Sequence, residues 1–426
     1  MLQLRGSSLA RNKVILGSPR HLSLFHEARG LSTLSFNIGP SCNENCEMCW
    51  MATASYPSFK PGDVMTASEI MRLFASLKKR GVKAVVIMSD GEPLFGANLE
   101  TTVAAAKASG ELGLYLILFT NGTLLDEKMI GLLHGLNPCV SFIVSMHGAD
   151  RDSYVRMHGL SPSREALWTM VVDNSRAWRE FNTRTKREET DAGGIKRKVY
   201  QFALHIVVTN DNLDQLERMK GKAREMDCFL LVTSPGMAGN AVLNRHAIAP
   251  SAEDFARLRA LAAEESDNPG GQSADGGAGC CFITNPRQKH WGVVIHSIHG
   301  QVLPCPYYLG LGASGWFALK KYWAAGGDDA RWVETAEAVS RAIVTHIQKE
   351  FGYDDCIQRH ARLNDIVRFV RAFNTAMECR AQALDASSAS YFDGVQRAVA
   401  EELLNASRVL AAVDGAGVDS PGASTQ

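Results

Sequence analysis

The chain lacks a net charge: 45 lysines and arginines balance 45 aspartates and glutamates over 426 residues. No overall field draws it to nucleic acid or to an anionic membrane surface, so partners must be recognised locally. It also lacks any apolar run approaching the roughly 20 residues that cross a bilayer. Its N-terminus has no compact apolar core ahead of a small-residue cleavage site. These absences read as a cytoplasmic protein with neither a nucleic-acid nor a membrane partner. Residues 1–33 are basic and serine-containing without an amphipathic arginine face, and they read as an ordinary leader. The length exceeds one compact domain, which predicts a main domain with appendages.

Cysteine, by contrast, is plentiful. Ten are spread along the chain, at 42, 46, 49, 139, 228, 280, 281, 305, 356 and 379. In a reducing compartment such a set points to metal ligation more than to disulfides. Cys139 and Cys228 lie at the start of the apolar runs CVSFIVS and CFLLVT, which reads as two buried core thiols.

Short apolar, β-branched runs recur at 34–39, 84–88, 115–119, 141–145, 202–208 and 228–233, which predicts six strands. Helical stretches lie between them. The clearest opens at Thr66 with Glu69 three residues on, a capping box, then carries Ile70, Phe74 and Leu77 on one face until Gly81. Repeated βα alternation implies parallel strands joined by right-handed crossovers, an α/β barrel, open or closed. In such sheets ligands bind where the loops leave the carboxyl ends of the strands. CNENCEMCW (42–50) follows the first strand, SDGEPL (89–94) the second, TNG (120–122) the third and SMHG (145–148) the fourth. Four loops thus share one mouth.

Cys42, Cys46 and Cys49 fall within eight residues of one loop. Thiolates so spaced fold round one soft metal centre, and cubane iron-sulfur clusters are held in this way. Three ligands leave one iron open, whereas a structural zinc site needs a closed tetrahedron, and no further cysteine or histidine lies close in sequence.

The CxxxCxxC spacing, the aromatic Trp50 after its third cysteine, and the GGEP-like turn after the second strand resemble the radical S-adenosylmethionine (SAM) superfamily. The resemblance covers roughly residues 34 to 235. It implies a partial (β/α)6 TIM-type barrel with a small C-terminal α+β extension. It also implies a 4Fe-4S cluster on Cys42, Cys46 and Cys49, whose open iron is chelated by SAM and which, once reduced, cleaves SAM to a 5′-deoxyadenosyl radical. Trp50 is expected near the adenine. Ser89, Asp90, Gly91 and Glu92 are expected to receive the methionine amino group, with Asn121, Ser145 and Arg156 completing the SAM contacts. Ser89 and Asp90 depart from the commonest GGEP turn. His147 and His158 are left without a role.

Residues 246–279 read as a helix and flexible linker ending in the glycine-rich ESDNPGGQSADGGAG, which places the end of the barrel near 245. Beyond it, GVVIHS and QVLPC flank a His299-Gly300 turn, the pattern of a hairpin. This resembles the SPASM extension of radical SAM enzymes, or its shorter twitch form, over residues 280–384. An auxiliary iron-sulfur cluster is then expected on Cys281 or Cys280, Cys305 and Cys356, with a fourth ligand that is Cys280, Cys379, a substrate or water. Cys379 sits in a helical pattern and reads as core. Helices are expected over 361–384 and 391–412, a disordered tail over 413–426, and an exposed charged loop over 183–198.

The resemblance implies a flavodoxin or ferredoxin-type electron donor, because reductive cleavage needs a low potential. Twitch-bearing relatives include dehydrogenases and epimerases of aminocyclitols and amino sugars, and SPASM members often modify peptides after recognising them with an N-terminal domain. Only about 33 residues precede the first strand here, too few for such a core. The expected substrate is a small natural-product intermediate. The alternatives are a peptide-modifying maturase and, outside enzymes, a zinc-binding interaction protein.

Overall fold

The computed structural model describes residues 30–51, 59–190, 196–233, 235, 239–244, 248, 290–303, 318–352, 363–388 and 390–415. The strands β1 (Gly30–Asn37), β2 (Ala84–Ile87), β3 (Tyr115–Thr120), β4 (Val140–Ser145), β7 (Phe202–Val207) and β8 (Phe229–Thr233) pair in parallel, each with the next. These are the six strands expected. With β9 (His290–His296) and β10 (Gln301–Leu303) they make one sheet in the order β10-β9-β1-β2-β3-β4-β7-β8. Buried residues alternate little along the six because both faces are covered, which is why they read as unbroken apolar runs. Among the described residues the two ends of the sheet do not pair, so the barrel is partial.

Helices α1 (Ala67–Lys79), α2 (Asn98–Glu111), α3 (Glu127–Leu136), α4 (Arg151–Met157), α5 (Ala166–Thr185) and α6 (Leu216–Glu225) form the crossovers, and a short α7 (Gly239–Leu243) follows β8. The capping box at α1 is present, with the Glu69 amide donating to Thr66 Oγ1 at 3.3 Å and Thr66 N donating to Glu69 Oε2 at 2.7 Å. One face of α1 buries Ile70, Leu73, Phe74 and Leu77, and the Phe74 ring meets Phe36 of β1 edge-on at 5.4 Å. Each such side chain contributes about 2 to 3 kcal/mol on burial. Gly122 adopts the left-handed region at φ +81°, and a Cβ there would lie 2.8 Å from the ring of Trp178. That packing lets Trp178 of α5 seat against the sheet and donate its Nε1–H to Leu125 O at 2.7 Å.

Residues 187–199 depart from the charged loop expected there. Strands β5 (Arg187–Thr190) and β6 (Lys196–Val199) pair antiparallel as a separate two-stranded sheet. The backbone register sets Glu188 opposite Lys198 and Glu189 opposite Arg197.

The hairpin expected around His299-Gly300 is present as β9 and β10, with both turn residues left-handed. It belongs to the main sheet, with β9 lying parallel on the outer edge of β1. After it come α8 (Leu319–Ala324), α9 (Arg331–Phe351), α10 (Leu363–Ala383) and α11 (Tyr391–Gly415). The last two are the helices expected. This helical group is fastened to α1 by Arg72–Asp329 at 2.9 Å, by Arg80–Glu334 at 3.0 Å and by Arg72 lying over the Trp323 ring at 4.7 Å. No described helix is long and apolar enough to cross a membrane.

Candidate functional site

The carboxyl ends of β1, β2, β3, β4 and β7 open into one cavity. Cys42, Cys46 and Cys49 all line it. Their loop is fixed by backbone contacts from several directions: Asn45 N donates to His158 O at 3.2 Å, Cys49 N to Cys46 O at 3.1 Å and Ala241 N to Cys49 O at 2.9 Å. Asn98 Nδ2 donates to both Gly39 O and Ser41 O, at 2.8 and 2.9 Å. The thiols sit in low dielectric. Burial pushes Cys42 up to about 12 and Cys49 up to about 11, although amides of Glu44 and Met51 donate to their sulfurs, and Cys46 stands well above its ordinary value.

Beneath Cys46 lies a polar trio. Glu44 Oε2 and His158 Nδ1 are 2.6 Å apart, and each is 3.9 Å from Cys46 Sγ. His147 N donates to His158 Nε2 at 3.3 Å, so the ring proton sits on Nδ1 and is donated to Glu44. Tyr154 Oη donates to the other carboxylate oxygen at 2.7 Å and stacks on the His158 ring. Glu44, Cys46 and His158 bring one ligand atom each within 4.8 Å. A metal taking all three would have to break the carboxylate–imidazole bond.

Glu92 crosses from the β2 loop to the β3 loop. Its Oε1 accepts from Thr120 Oγ1 at 2.6 Å and Leu94 N at 3.1 Å, and its Oε2 from Asn121 N at 2.6 Å. A carboxylate has about four acceptor positions, so one is left. Burial raises this carboxyl to about 7 against those three donors. Asn121 Nδ2 donates to Asn43 Oδ1 at 2.7 Å, joining the β3 loop to the cysteine loop. On the far wall, Ser145 Oγ lies 3.2 Å from His205 Nδ1, and His147 Nδ1 accepts from Val207 N at 3.1 Å. Burial, with His158 and His205 alongside, holds His147 well below the ordinary imidazole value.

The model of the radical SAM superfamily matches residues 36–186. Those residues are a radical SAM domain. Among solved structures, this chain is similar to Streptococcus suis SuiB bound to precursor peptide SuiA, at 16% identity and TM-score 0.43 over 71% of this chain and 65% of that one. It is similar to a histidine-tagged anSMEcpe with bound AdoMet, at 15% identity and TM-score 0.48 over 91% and 96%. It also matches BtrN in complex with AdoMet and 2-DOIA, at 24% identity and TM-score 0.23 over 32% and 54%. The chain thus spans 65% of the peptide-bound SuiB chain and about half of the BtrN chain.

The cofactors of a radical SAM domain are a 4Fe-4S cluster and SAM, and the residues present fit both. Three soft sulfur donors face one cavity, and burial disfavours their anionic form until a cationic centre compensates it. Ser89 Oγ, in the cavity wall, is buried with no hydrogen-bond partner among the described residues. An orphaned polar atom of that kind suits a ligand with polar edges. Trp50, with Met48, Met51, Met88 and Phe119, gives the cavity an apolar lining.

Of the residues expected at this site in the radical SAM domain, Cys42, Cys46, Cys49, Trp50, Ser89, Asp90, Gly91, Glu92, Asn121 and Ser145 all line the cavity. Arg156 does not. Helical pitch turns Tyr154 and Met157 of α4 inward and leaves Arg156 exposed, where it donates to Asp211 O at 2.9 Å. Cys139 is also exposed, not core as expected, because it sits one residue before β4 in a turn closed by its own amide donating to Asn137 Oδ1. Cys228 is buried as expected. Cys280, Cys281, Cys305 and Cys356 lie outside the described residues, as does the expected helix and linker over 246–279 except for Ile248; Cys379 lies on α10. Sequence reasoning missed Glu44, Tyr154 and His205. A signal existed for the first two: a glutamate inside an apolar-walled thiol loop needs a partner, and Tyr154 and His158 stand four apart on one helical face.

Proposed function

We propose that this chain is a radical SAM enzyme acting on a small natural-product intermediate, by dehydrogenation or epimerisation. Cys42, Cys46 and Cys49 hold the cluster, and the turn Ser89–Glu92 with Trp50, Asn121 and Ser145 holds SAM. The single observation carrying this reading is that all of these residues, drawn from four separate strand ends, line one cavity. When bound, the group supplies one-electron reduction of the sulfonium, which yields a 5′-deoxyadenosyl radical able to take hydrogen from substrate. The protein's share is positional. The acceptor position of Glu92 left unused would take the methionine ammonium, Asn121 ties two loops of the site together, and the apolar wall would keep water from a reactive carbon.

A small substrate suits the recess. Met48, Met51, Glu92, His147 and His205 in its walls are all buried. Such a recess takes a compact molecule whole and a polypeptide only by its tip. A flavodoxin or ferredoxin-type protein delivers the electron. An auxiliary cluster on Cys281, Cys305 and Cys356, with Cys280 as a further ligand, belongs to the same proposal and suits a net oxidation.

Anaerobic reconstitution with iron and sulfide, followed by reduction in the presence of SAM, tests the reading. Brown absorbance and release of 5′-deoxyadenosine are expected, and colourless protein carrying zinc would overturn it. With candidate metabolites in deuterium oxide, one deuterium at a substrate carbon identifies an epimerase and an oxidised product a dehydrogenase. Turnover of a peptide and of no small molecule would refute the substrate class.

A further inference from the structure

The turn Ser89–Glu92 carries aspartate where the commonest form of the motif has glycine, and that aspartate faces the hairpin. Asp90 Oδ2 lies 2.7 Å from His296 Nε2, with side-chain exposures of 0% and 1%. Asp90 Oδ1 accepts from Asn37 Nδ2 at 3.1 Å, and Asn37 Oδ1 accepts in turn from Ser35 Oγ at 3.2 Å. Asn37 and His296 are register partners across β1 and β9. One buried polar row therefore runs from β9 across β1 to the turn that follows β2. The row also has a direction: Ile298 N donates to His296 Nδ1 at 3.0 Å, so the ring proton sits on Nε2 and is donated to Asp90.

His296 takes no part in the cavity wall, whereas Asp90, Gly91 and Glu92 do. The backbone of this turn has little slack. Asp90 N donates to Ile38 O at 3.1 Å and Glu92 N to Ser41 O at 2.9 Å, and a Cβ on Gly91 would lie 2.3 Å from Ser41 O. A displacement of Asp90 is thereby passed to Glu92 and to the cysteine loop. The β9–β10 hairpin is itself seated from outside: Met65 N donates to Ser297 O at 2.8 Å, and His299 N to Asp63 O at 2.7 Å.

We propose that Asp90 and His296 are a positioning couple, through which the seating of the β9–β10 hairpin sets how tightly the turn Ser89–Glu92 holds SAM. The inference rests on the assignment of that turn to SAM made above. Neither residue reacts. A buried carboxylate held from two sides fixes the turn in one arrangement before the ligand arrives, and pre-organisation of this kind raises affinity without a new contact. The motif with glycine lacks this side chain, so the hairpin's hold on the turn belongs to the aspartate.

SAM affinity of the cluster-loaded enzyme, measured by calorimetry, tests it alongside hydrogen exchange of the metal-free protein. Asp90→Asn and His296→Ala are each expected to raise the dissociation constant about tenfold, a loss of about 1.4 kcal/mol. The double variant should be no worse than the weaker single, because both break one link. His296→Gln, whose amide N–H still reaches the carboxylate, should stay within about threefold of wild type. In metal-free His296→Ala the Asp90 and Glu92 amides should exchange faster while those of α3 do not change. Affinity within twofold of wild type in His296→Ala, or losses that multiply in the double variant, would overturn the couple whatever the exchange shows. If His296→Ala does not fold, equal affinities in Asp90→Asn and His296→Gln overturn it instead. Glu92→Gln separates the two levels: unchanged SAM affinity there removes the assignment of the turn itself, and the couple with it.

Discussion

Glu44 and His158 meet at 2.6 Å directly under Cys46, with side chains 3% and 1% exposed. Breaking such a pair by removing one partner leaves the other buried and uncompensated, at about 3 to 5 kcal/mol. His158→Ala is therefore expected to lower the stability of the metal-free protein by that amount in urea denaturation. Glu44→Gln, which keeps one acceptor oxygen for His158 and sets its amide N–H against the Tyr154 hydroxyl, which can turn to accept it, should cost about 1 to 2 kcal/mol. Equal losses would show that the carboxylate's charge, and not its hydrogen bonding, is what the loop depends on.

Two glycines hold the cysteine loop by close approach. A Cβ on Gly159, at φ +57°, would lie 2.1 Å from Asn45 O, and one on Gly91 would lie 2.3 Å from Ser41 O. Gly159→Ala and Gly91→Ala should both push the loop outward and at least halve the iron retained after anaerobic reconstitution, read by iron-to-protein ratio. Gly131, on α3, has nothing within 4 Å of its added Cβ. Gly131→Ala should keep full iron and add roughly 0.5 to 1 kcal/mol of stability.

The raised Glu92 carboxyl gives stability a pH dependence of definite sign. The folded protein keeps this proton up to about 7, while the unfolded chain loses it near the ordinary value of 4.5. Across that window the native state binds more protons, so stability falls as pH rises, by about 3 kcal/mol in full. Glu92→Gln removes the term. The stability difference between wild type and variant should move steadily in the variant's favour from pH 4.5 to 7.5, in chemical denaturation of metal-free protein. The depressed His147 works in the opposite sense, since the unfolded chain takes up its proton below 6.5 and the fold does not, but it is common to both proteins and cancels.

Cysteine replacements separate ligands from bystanders. Cys42→Ser, Cys46→Ser and Cys49→Ser should each abolish SAM cleavage and the cluster absorbance of the radical SAM domain. Cys139→Ser, at an exposed position, should alter neither. A full cluster signal in any of the first three would remove that residue from the set.

Much of this architecture was legible in the residues. The six strands could be read because burial on both faces demands unbroken apolar runs, and α1 because its cap and apolar stripe agree. The cavity followed from one rule, that loops at carboxyl ends converge. Three things were not legible, each for a physical reason. Strand β9 pairs with β1 across some 260 residues of sequence, and nothing local marks the edge it joins. The β5–β6 hairpin lies in a segment rich in charge of both signs, which reads as solvated loop when taken one residue at a time. Helix α9 was passed over although Trp332, Ala336, Val339, Ile343 and Ile347 recur on one buried face. Within the site, the cysteines and the turn were found through spacing. The partner of Glu44 was not, because His158 stands 114 residues away.

The parallel seat of β9 on β1 has a consequence for synthesis. A nascent chain emerges in order, so the barrel strands from β1 to β8 are all outside the ribosome while the outer edge of β1 still lacks β9. Until residue 296 arrives, that edge offers its amides and carbonyls to any passing strand, and half-made copies on one message are the nearest supply. Truncation after β8 would make this interval permanent, and the fragment should precipitate where the longer chain stays in solution.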